Sequence, residues 1–445
     1  MDLGKLTHYR LSGAVAFTAG MAALFLIYVL ALKAASRLGG SRLALALVLA
    51  FTLLQGLILV AVYPIGALDV FAYVFQGRLL AHYHANPFVV APAAFPDDPM
   101  VPLLAWEHEP STYGALWVAL EGLASLFYRN DMLAGLVLYK LLGLLCYLLT
   151  AYLVYLLLLQ QRAREPVAGA LVFAWNPLLI WETAANGHND IAMALLALAA
   201  VYAFVRDRVR LSHPLLIASV LVKFVTLVLY PAFLVSTLRG PGKRTRKLSD
   251  IIWGLAMAAL VIAAFYAPFW VGPETVGALR RGDLFTASPT AAAFHLLSAS
   301  GFATASQTVK LVGGGLFALF VAWRSVLVRP GTRPLLSASF DILFAYFVLA
   351  TFWFQPWYLA VLLPFAAALE DSKRRRLALI FTASAVLNYL VFDYLWLWFP
   401  ETLGLVQVQA LAAACIYGPP LAYVLWTAAQ STRPHARLLE DHNDR

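Results

Sequence analysis

The sequence predicts an all-α, polytopic membrane protein with about 13 transmembrane helices. Three observations predict it. Of 445 residues, 62% are hydrophobic and only 12% charged. The apolar residues fall in runs approaching the roughly 20 that cross a bilayer core of about 30 Å. The basic residues collect in short loops between those runs. No single soluble core of this length hides so much apolar surface. Backbone groups in lipid must be satisfied within the chain, which leaves helices or a closed barrel, and these runs lack barrel alternation. The net charge of +9 does not point to nucleic acid, because loop-clustered Lys and Arg are how a membrane chain is oriented. Cys146 and Cys415 are the only cysteines, and both sit inside expected helices. Neither a disulfide framework nor a cysteine metal site is expected.

The first apolar run, Ala14 to Leu32, is longer than a leader-peptide core and is expected to be a retained helix. Basic loops then set the threading. One side collects Lys33, Arg37 and Arg42, then Arg162 and Arg164, then Arg206, Arg208 and Arg210. The same side takes Arg239 with Lys243 to Lys247, then Arg324, Arg329 and Arg333, then Lys373 to Arg376, and Arg433, Arg437 and Arg445. That side is expected to be cytoplasmic, with the N-terminus outside. Between Arg42 and Arg162 lie three runs, 43–62, 114–128 and 133–160. The middle one is the shortest and contains Glu121, so it reads as an interfacial or re-entrant helix. Residues 63–132 then form one long outer segment, and 271–305 a second. Between Arg210 and Arg239 one run is basic at both ends, which a hairpin of two short helices turning near Lys223 resolves. Residues 429–445 read as a cytoplasmic tail, and 1–445 as one membrane domain.

Under this threading the polar clusters all reach the outer face. Asp69 opens the first outer segment, where an N-cap role is its simplest use. The helix it opens shows an apolar periodicity expected of a helix in the interface, with Arg78, His82 and His84 as support. Glu107-His108-Glu109 reads as a solvated loop, although its residue types are those of metal ligands. Ser111 to Gly114 follow. Glu182 leads into Asn186-Gly187-His188-Asn189-Asp190, whose Asn-Gly is a turn signal. Gln355-Pro356-Trp357-Tyr358 forms another outer turn with interfacial aromatics. Lys223 is an intramembrane lysine, costly unless it has a partner or lines a wet cavity. A lipid-linked phosphate or a carboxylate suits it. Sequence-distant clusters sharing one face form a site built by a folded bundle.

Six stretches occur in a telling order: Asp69-Val70-Phe71-Ala72-Tyr73 with Gly77; Asn86-Pro87-Phe88; Tyr113-Gly114-Ala115; Trp175-Asn176-Pro177; Asn186 to Asp190; and Pro356-Trp357-Tyr358. In them the chain resembles the GT-C superfamily of integral-membrane glycosyltransferases, and most closely the bacterial polyprenyl-phosphate-mannose-dependent alpha-mannosyltransferases. Phe71 and Phe88 stand where that family has Tyr, and Ala115 where it has Pro. The resemblance implies a polyprenyl-phosphate-linked sugar donor, mannose or another hexose, entering from membrane lipid. It implies a glycan or glycolipid acceptor on the extracytoplasmic face of the plasma membrane. Asp69 matches the catalytic position and is expected to be the general base of an inverting transfer. Lys223 is expected at the donor phosphate, with Tyr113, Glu182, Asn186, His188, Asp190, Gln355, Trp357 and Tyr358 around sugar and acceptor. Arg78, Glu107, His108 and Glu109 are expected in support, and no metal or other cofactor is expected. A transporter or flippase is the competing class, but it should gather polar residues near the midplane in two related halves.

Overall fold

The computed structural model describes residues 3–432 apart from 36, 38, 39, 67 and 281–283. The acidic stretch Glu440 to Asp444, with Arg433, Arg437 and Arg445, lies outside these residues, as does part of the second outer segment. The described chain is helical, its one bridge between extended segments joining Thr286 to Trp353. Among the described residues eight helices are long and apolar enough to cross a membrane. The pair Pro166–Ala174 and Pro177–Ala185, bent by 52°, makes a ninth. Leu11–Ala35 and Arg244–Phe269 each bury only 11% of their apolar windows inside the protein, and Leu26, Ile27, Ile252 and Leu260 point outward. Lipid is the solvent that accepts such faces. The expected count of about 13 is reached only by counting shorter apolar helices such as Asp190–Val205, Val209–Val220 and Phe224–Arg239. The first of these has 16 residues, about 24 Å of helix, less than a full crossing of about 30 Å.

The Trp175-Asn176-Pro177 stretch is the cause of the bend. Pro177 has no N–H to return to Phe173, and Asn176 restarts the helix by accepting from the Leu179 amide at 3.2 Å. The carbonyls exposed by the break are taken by tyrosines from other helices. Tyr147 donates to the Phe173 carbonyl at 2.8 Å and Tyr28 to that of Val172. Broken backbone at membrane depth persists only when satisfied in this way. The restarted helix then widens into a π turn over Trp181–Ala185, which carries Glu182. A second π turn, Val391–Leu395, follows Asn388 and Tyr389. Such turns re-aim side chains and are frequent at functional sites.

The basic loops meet one another. Arg324 and Arg374 share Asp341, Arg210 and Arg246 share Asp250, and Arg333 pairs with Glu370. The helical run between Arg210 and Arg239 is broken at Lys223, whose backbone is extended.

In the first outer segment the helix Asp69–Ala81 buries most of its 13 residues, including Gln76 and Arg78. It therefore does not lie one-sided in the interface. Its polar residues are matched inside: Ser111 donates to Gln76 Oε1 at 2.9 Å, and Arg78 Nε to Asp98 Oδ2 at 2.6 Å. Burial alone raises the Asp98 carboxyl, but hydrogen bonds from Tyr83, the Met100 amide and Arg78 outweigh it and hold it below its ordinary value. This pair pins the loop over the helix. Arg78→Met leaves Asp98 buried and unpaired, and is expected to cost about 3–5 kcal/mol, read as a lower unfolding temperature. Because the Asp98 pKa is depressed on folding, its contribution is present above the ordinary carboxylate pKa and is lost as pH falls through the folded value. The stability gap between wild type and variant should accordingly narrow at acid pH.

Candidate active site

Asp69 is the first residue of its helix, and Leu68 occupies the N-cap with no side-chain bond. The carboxylate is thus not spent on capping, while the helix N-terminus still favours its charge. The turn leading to it is held from below. Lys140, buried in the helix Met132–Gln160, donates to the carbonyls of Val60 at 3.0 Å and of Val62. These are orphan acceptors at the end of the helix Arg42–Val60.

Opposite Asp69 stands the Asn186 to Asp190 turn, which Gly187 permits with φ of +77°. His188 Nδ1 lies 3.0 Å from the Glu182 carbonyl oxygen and 3.3 Å from its Oε2. Both of these are acceptors, so Nδ1 donates to them, which in the neutral imidazole leaves Nε2 as a lone pair. Nε2 faces Asp69 Oδ2 at 3.9 Å. That gap is too long for a hydrogen bond, and in the neutral imidazole both sides of it are acceptors. Trp357 fixes the ring from its face, stacked at 4.0 Å and 12°. Glu182 is fully engaged: Asn186 donates to Oε2 at 2.8 Å and Tyr389 to Oε1. Its carboxyl group ties Asn186 to Tyr389. The Gly66 amide donates to Asn186 Oδ1 at 3.1 Å, and a Cβ on Gly66 would strike Asn186 Nδ2. Gly66→Ala is therefore expected to displace this network and cut activity roughly a hundredfold, as misplacement by about 1 Å does, with little loss of thermal stability.

Lys223 joins the same cluster. Its ammonium donates to both oxygens of Asp190, at 3.0 and 2.9 Å, and lies 4.6 Å from the Tyr358 ring centroid. The extended backbone at Lys223 is tied to the Tyr113-Gly114 stretch, where the Gly114 amide donates to the Val222 carbonyl at 3.1 Å. The Tyr113 ring meets Tyr73 edge-on at 5.0 Å. Burial, with the charge of Asp69 beside it, pushes the Tyr113 phenol well above its ordinary range, so it stays a neutral donor. Tyr358 lies within reach of the charges of both Asp190 and Asp69. Asp69, Tyr113, Glu182, Asn186, His188, Asp190, Lys223, Trp357 and Tyr358 thus form one neighbourhood, and Gln355 lines an adjoining cavity.

Other expected residues stand elsewhere. Arg78 is consumed by Asp98 and Asn130 and braces the outer segment. Glu107 and His108 pair at 3.3 Å on an exposed turn, with the His108 side chain 78% exposed, and Glu109 is exposed beside them. Among the described residues no group of three or more His, Cys, Asp or Glu is placed to hold a metal.

Sequence reading missed Lys140, Asn388 and Tyr389. Asn388 and Asp393 carried a usable signal, as polar residues inside an otherwise apolar run. Several buried polar atoms here have no hydrogen-bond partner among the described residues: His188 Nε2, both amide atoms of Asn189, and Trp357 Nε1. Each such atom costs about 1–3 kcal/mol if never satisfied. A ligand rich in hydroxyls, held against a carboxylate and beside a lysine, satisfies them.

A family model described as alpha-(1->6)-mannopyranosyltransferase, N-terminal domain, matches residues 2–239. That stretch holds Asp69, Tyr113, the turn from Glu182 to Asp190, and Lys223. A search of curated proteins gives no match.

Proposed function

The chain belongs to the alpha-(1->6)-mannopyranosyltransferase family and is a membrane glycosyltransferase, and from that premise we propose a specific reaction. It moves a mannosyl group from a polyprenyl monophosphate to a hydroxyl of a glycan or glycolipid, on the extracytoplasmic side, by one inverting displacement. The observation that carries the reading is the 3.9 Å gap between Asp69 Oδ2 and His188 Nε2. An acceptor hydroxyl entering beside this gap has one proton to donate, and Asp69 is the acceptor it can reach, its side chain 18% exposed against 1% for His188. Asp69 takes this proton, since a general base needs hydrogen-bond reach to it. The hydroxyl oxygen attacks the anomeric carbon, the bond from that carbon to the phosphate oxygen breaks, and its electron pair leaves on the phosphate. His188, held by Glu182 and Trp357, forms the wall that faces Asp69 across the place where the hydroxyl enters.

The leaving phosphate gains negative charge, which a fixed cation stabilises. Lys223 is the cation in the cluster. Asp190 holds it in place and engages part of its three-donor capacity, and the side chain remains 17% exposed, leaving an approach for the phosphate. The charge clustering of the basic loops supports an outward-facing site. The test is transfer by the purified protein from labelled polyprenyl-phosphate mannose compared with GDP-mannose. Transfer from the lipid donor alone is expected, and transfer from the nucleotide sugar alone would overturn the donor assignment.

A further inference from the structure

At the end of the helix Asp190–Val205 away from Asp190, on the face that carries the basic loops, lies a second cavity of about 420 Å³, within the range of small-ligand sites. It is framed by Phe204 at that helix end, Gly240 and Gly242 in a loop, Arg246 and Lys247 on the first turn of Arg244–Tyr266, and Thr332 at the start of Thr332–Leu349. The helices Asp190–Val205 and Val209–Val220 pack side by side as a hairpin. Phe204 and Val209, beside its turn, line the cavity, while Asp190 and Lys223 meet at its open end.

The surroundings favour an anion. The stretches 206–210 and 239–250 hold eight Lys and Arg against Asp207 and Asp250. Asp250 is engaged by Arg210, whose Nε donates to it at 2.8 Å. Arg246 reaches Asp207 only at 3.8 Å and Asp250 at 3.9 Å, with its side chain 67% exposed. Those contacts are too long for hydrogen bonds. Lys247 gives one of its three donors to the Leu238 carbonyl, at 3.2 Å. At Thr332 the N-cap is Gly331, which has no side chain to meet the first amides of an 18-residue helix. The rim shows which anion fits. Leu238 and Leu248, next in sequence to lining residues, are exposed, as is Val326, whose carbonyl holds Arg239. A dissolved anion leaves these apolar side chains uncovered, whereas a lipid lays its acyl chains on them. Basic pockets between membrane helices take acidic head groups in this way.

We propose that this cavity binds the phosphate of an anionic phospholipid head group through Arg246 and Lys247, and so pins the turn of the hairpin that carries Asp190 and Lys223. Binding is read without turnover, so its outcome is independent of the donor assignment. Full-length protein in neutral-detergent micelles is titrated with phosphatidylglycerol, phosphatidylcholine or inorganic phosphate, and unfolding is followed by tryptophan fluorescence. Phosphatidylglycerol alone is expected to raise the unfolding temperature saturably. Arg246→Gln, whose ion-pair contacts are 3.8 Å or longer, should raise the half-saturating lipid concentration about fivefold. Adding Lys247→Gln should bring the change to about thirtyfold. Arg246→Lys with Lys247→Arg keeps both charges and should keep the wild-type affinity. Lys373→Gln with Arg376→Gln, which removes two cations of the same face outside the cavity lining, should keep it too. Equal stabilisation by phosphatidylcholine overturns recognition of charge, and equal stabilisation by inorganic phosphate overturns the lipid. An equal loss of affinity in the Lys373 and Arg376 variant reduces the effect to general attraction by the basic face and overturns the site.

Discussion

Asp69→Asn is expected to lower sugar transfer by about 10²- to 10⁴-fold, the usual contribution of a positioned general base. Asparagine has the same shape and cannot take a proton. Asp69 is not the cap of its helix, so a residue needed only for local helix structure would lose just its charge at the helix N-terminus, about 0.3–1 kcal/mol. The neighbours Tyr73 and Tyr113 are buried phenols that do not depend on the Asp69 charge for their packing. The donor KM should stay near the wild-type value, because the loss falls on the acceptor proton and not on phosphate binding. A variant that transfers at the wild-type rate, with an unchanged unfolding temperature, removes Asp69 from the chemistry.

The second large effect concerns the pair Lys223 and Asp190. Lys223→Met removes the cation and leaves Asp190, whose side chain is 2% exposed, as a buried unpaired anion. Breaking such a pair costs about 3–5 kcal/mol, so loss of activity in this variant alone is ambiguous. The combined variant Lys223→Met with Asp190→Asn separates the roles. It is expected to recover most of the lost stability, since no unpaired charge remains, while transfer stays about 10²- to 10³-fold down for want of charge stabilisation at the leaving phosphate. Wild-type transfer by the combined variant would falsify the assignment of Lys223 to the phosphate.

The parts of the site legible in the sequence are those where a polar residue interrupts apolar chain. Asp69, Lys223 and the turn from Asn186 to Asp190 announce themselves because lipid penalises them. The break at Asn176-Pro177 carried a signal that went unread, since a proline in an apolar run kinks a helix or starts a new one. Pairings were not readable. Nothing in local spacing says that Tyr389 binds Glu182 across 207 positions, or that Lys223 finds Asp190 and not a ligand alone. Glu107 to Glu109 stand exposed as the solvated loop that the sequence indicates, and it is their added supporting role that residue type alone could not place, since types suited to metals are also those that water solvates. The helix Asp69–Ala81 misled because Gln76 and Arg78 look like a solvent face. They are buried because Ser111 and Asp98, from the loop that folds over them, meet their polar groups.

The central claim is a single displacement by an acceptor hydroxyl that Asp69 deprotonates. Its most direct test is the anomeric configuration of the product, read by proton and carbon NMR after transfer from a polyprenyl-phosphate mannose of known anomeric configuration. The account predicts inversion at the anomeric carbon in every transferred mannose. Retention would contradict it, since it requires a second displacement and a nucleophile that no step here provides.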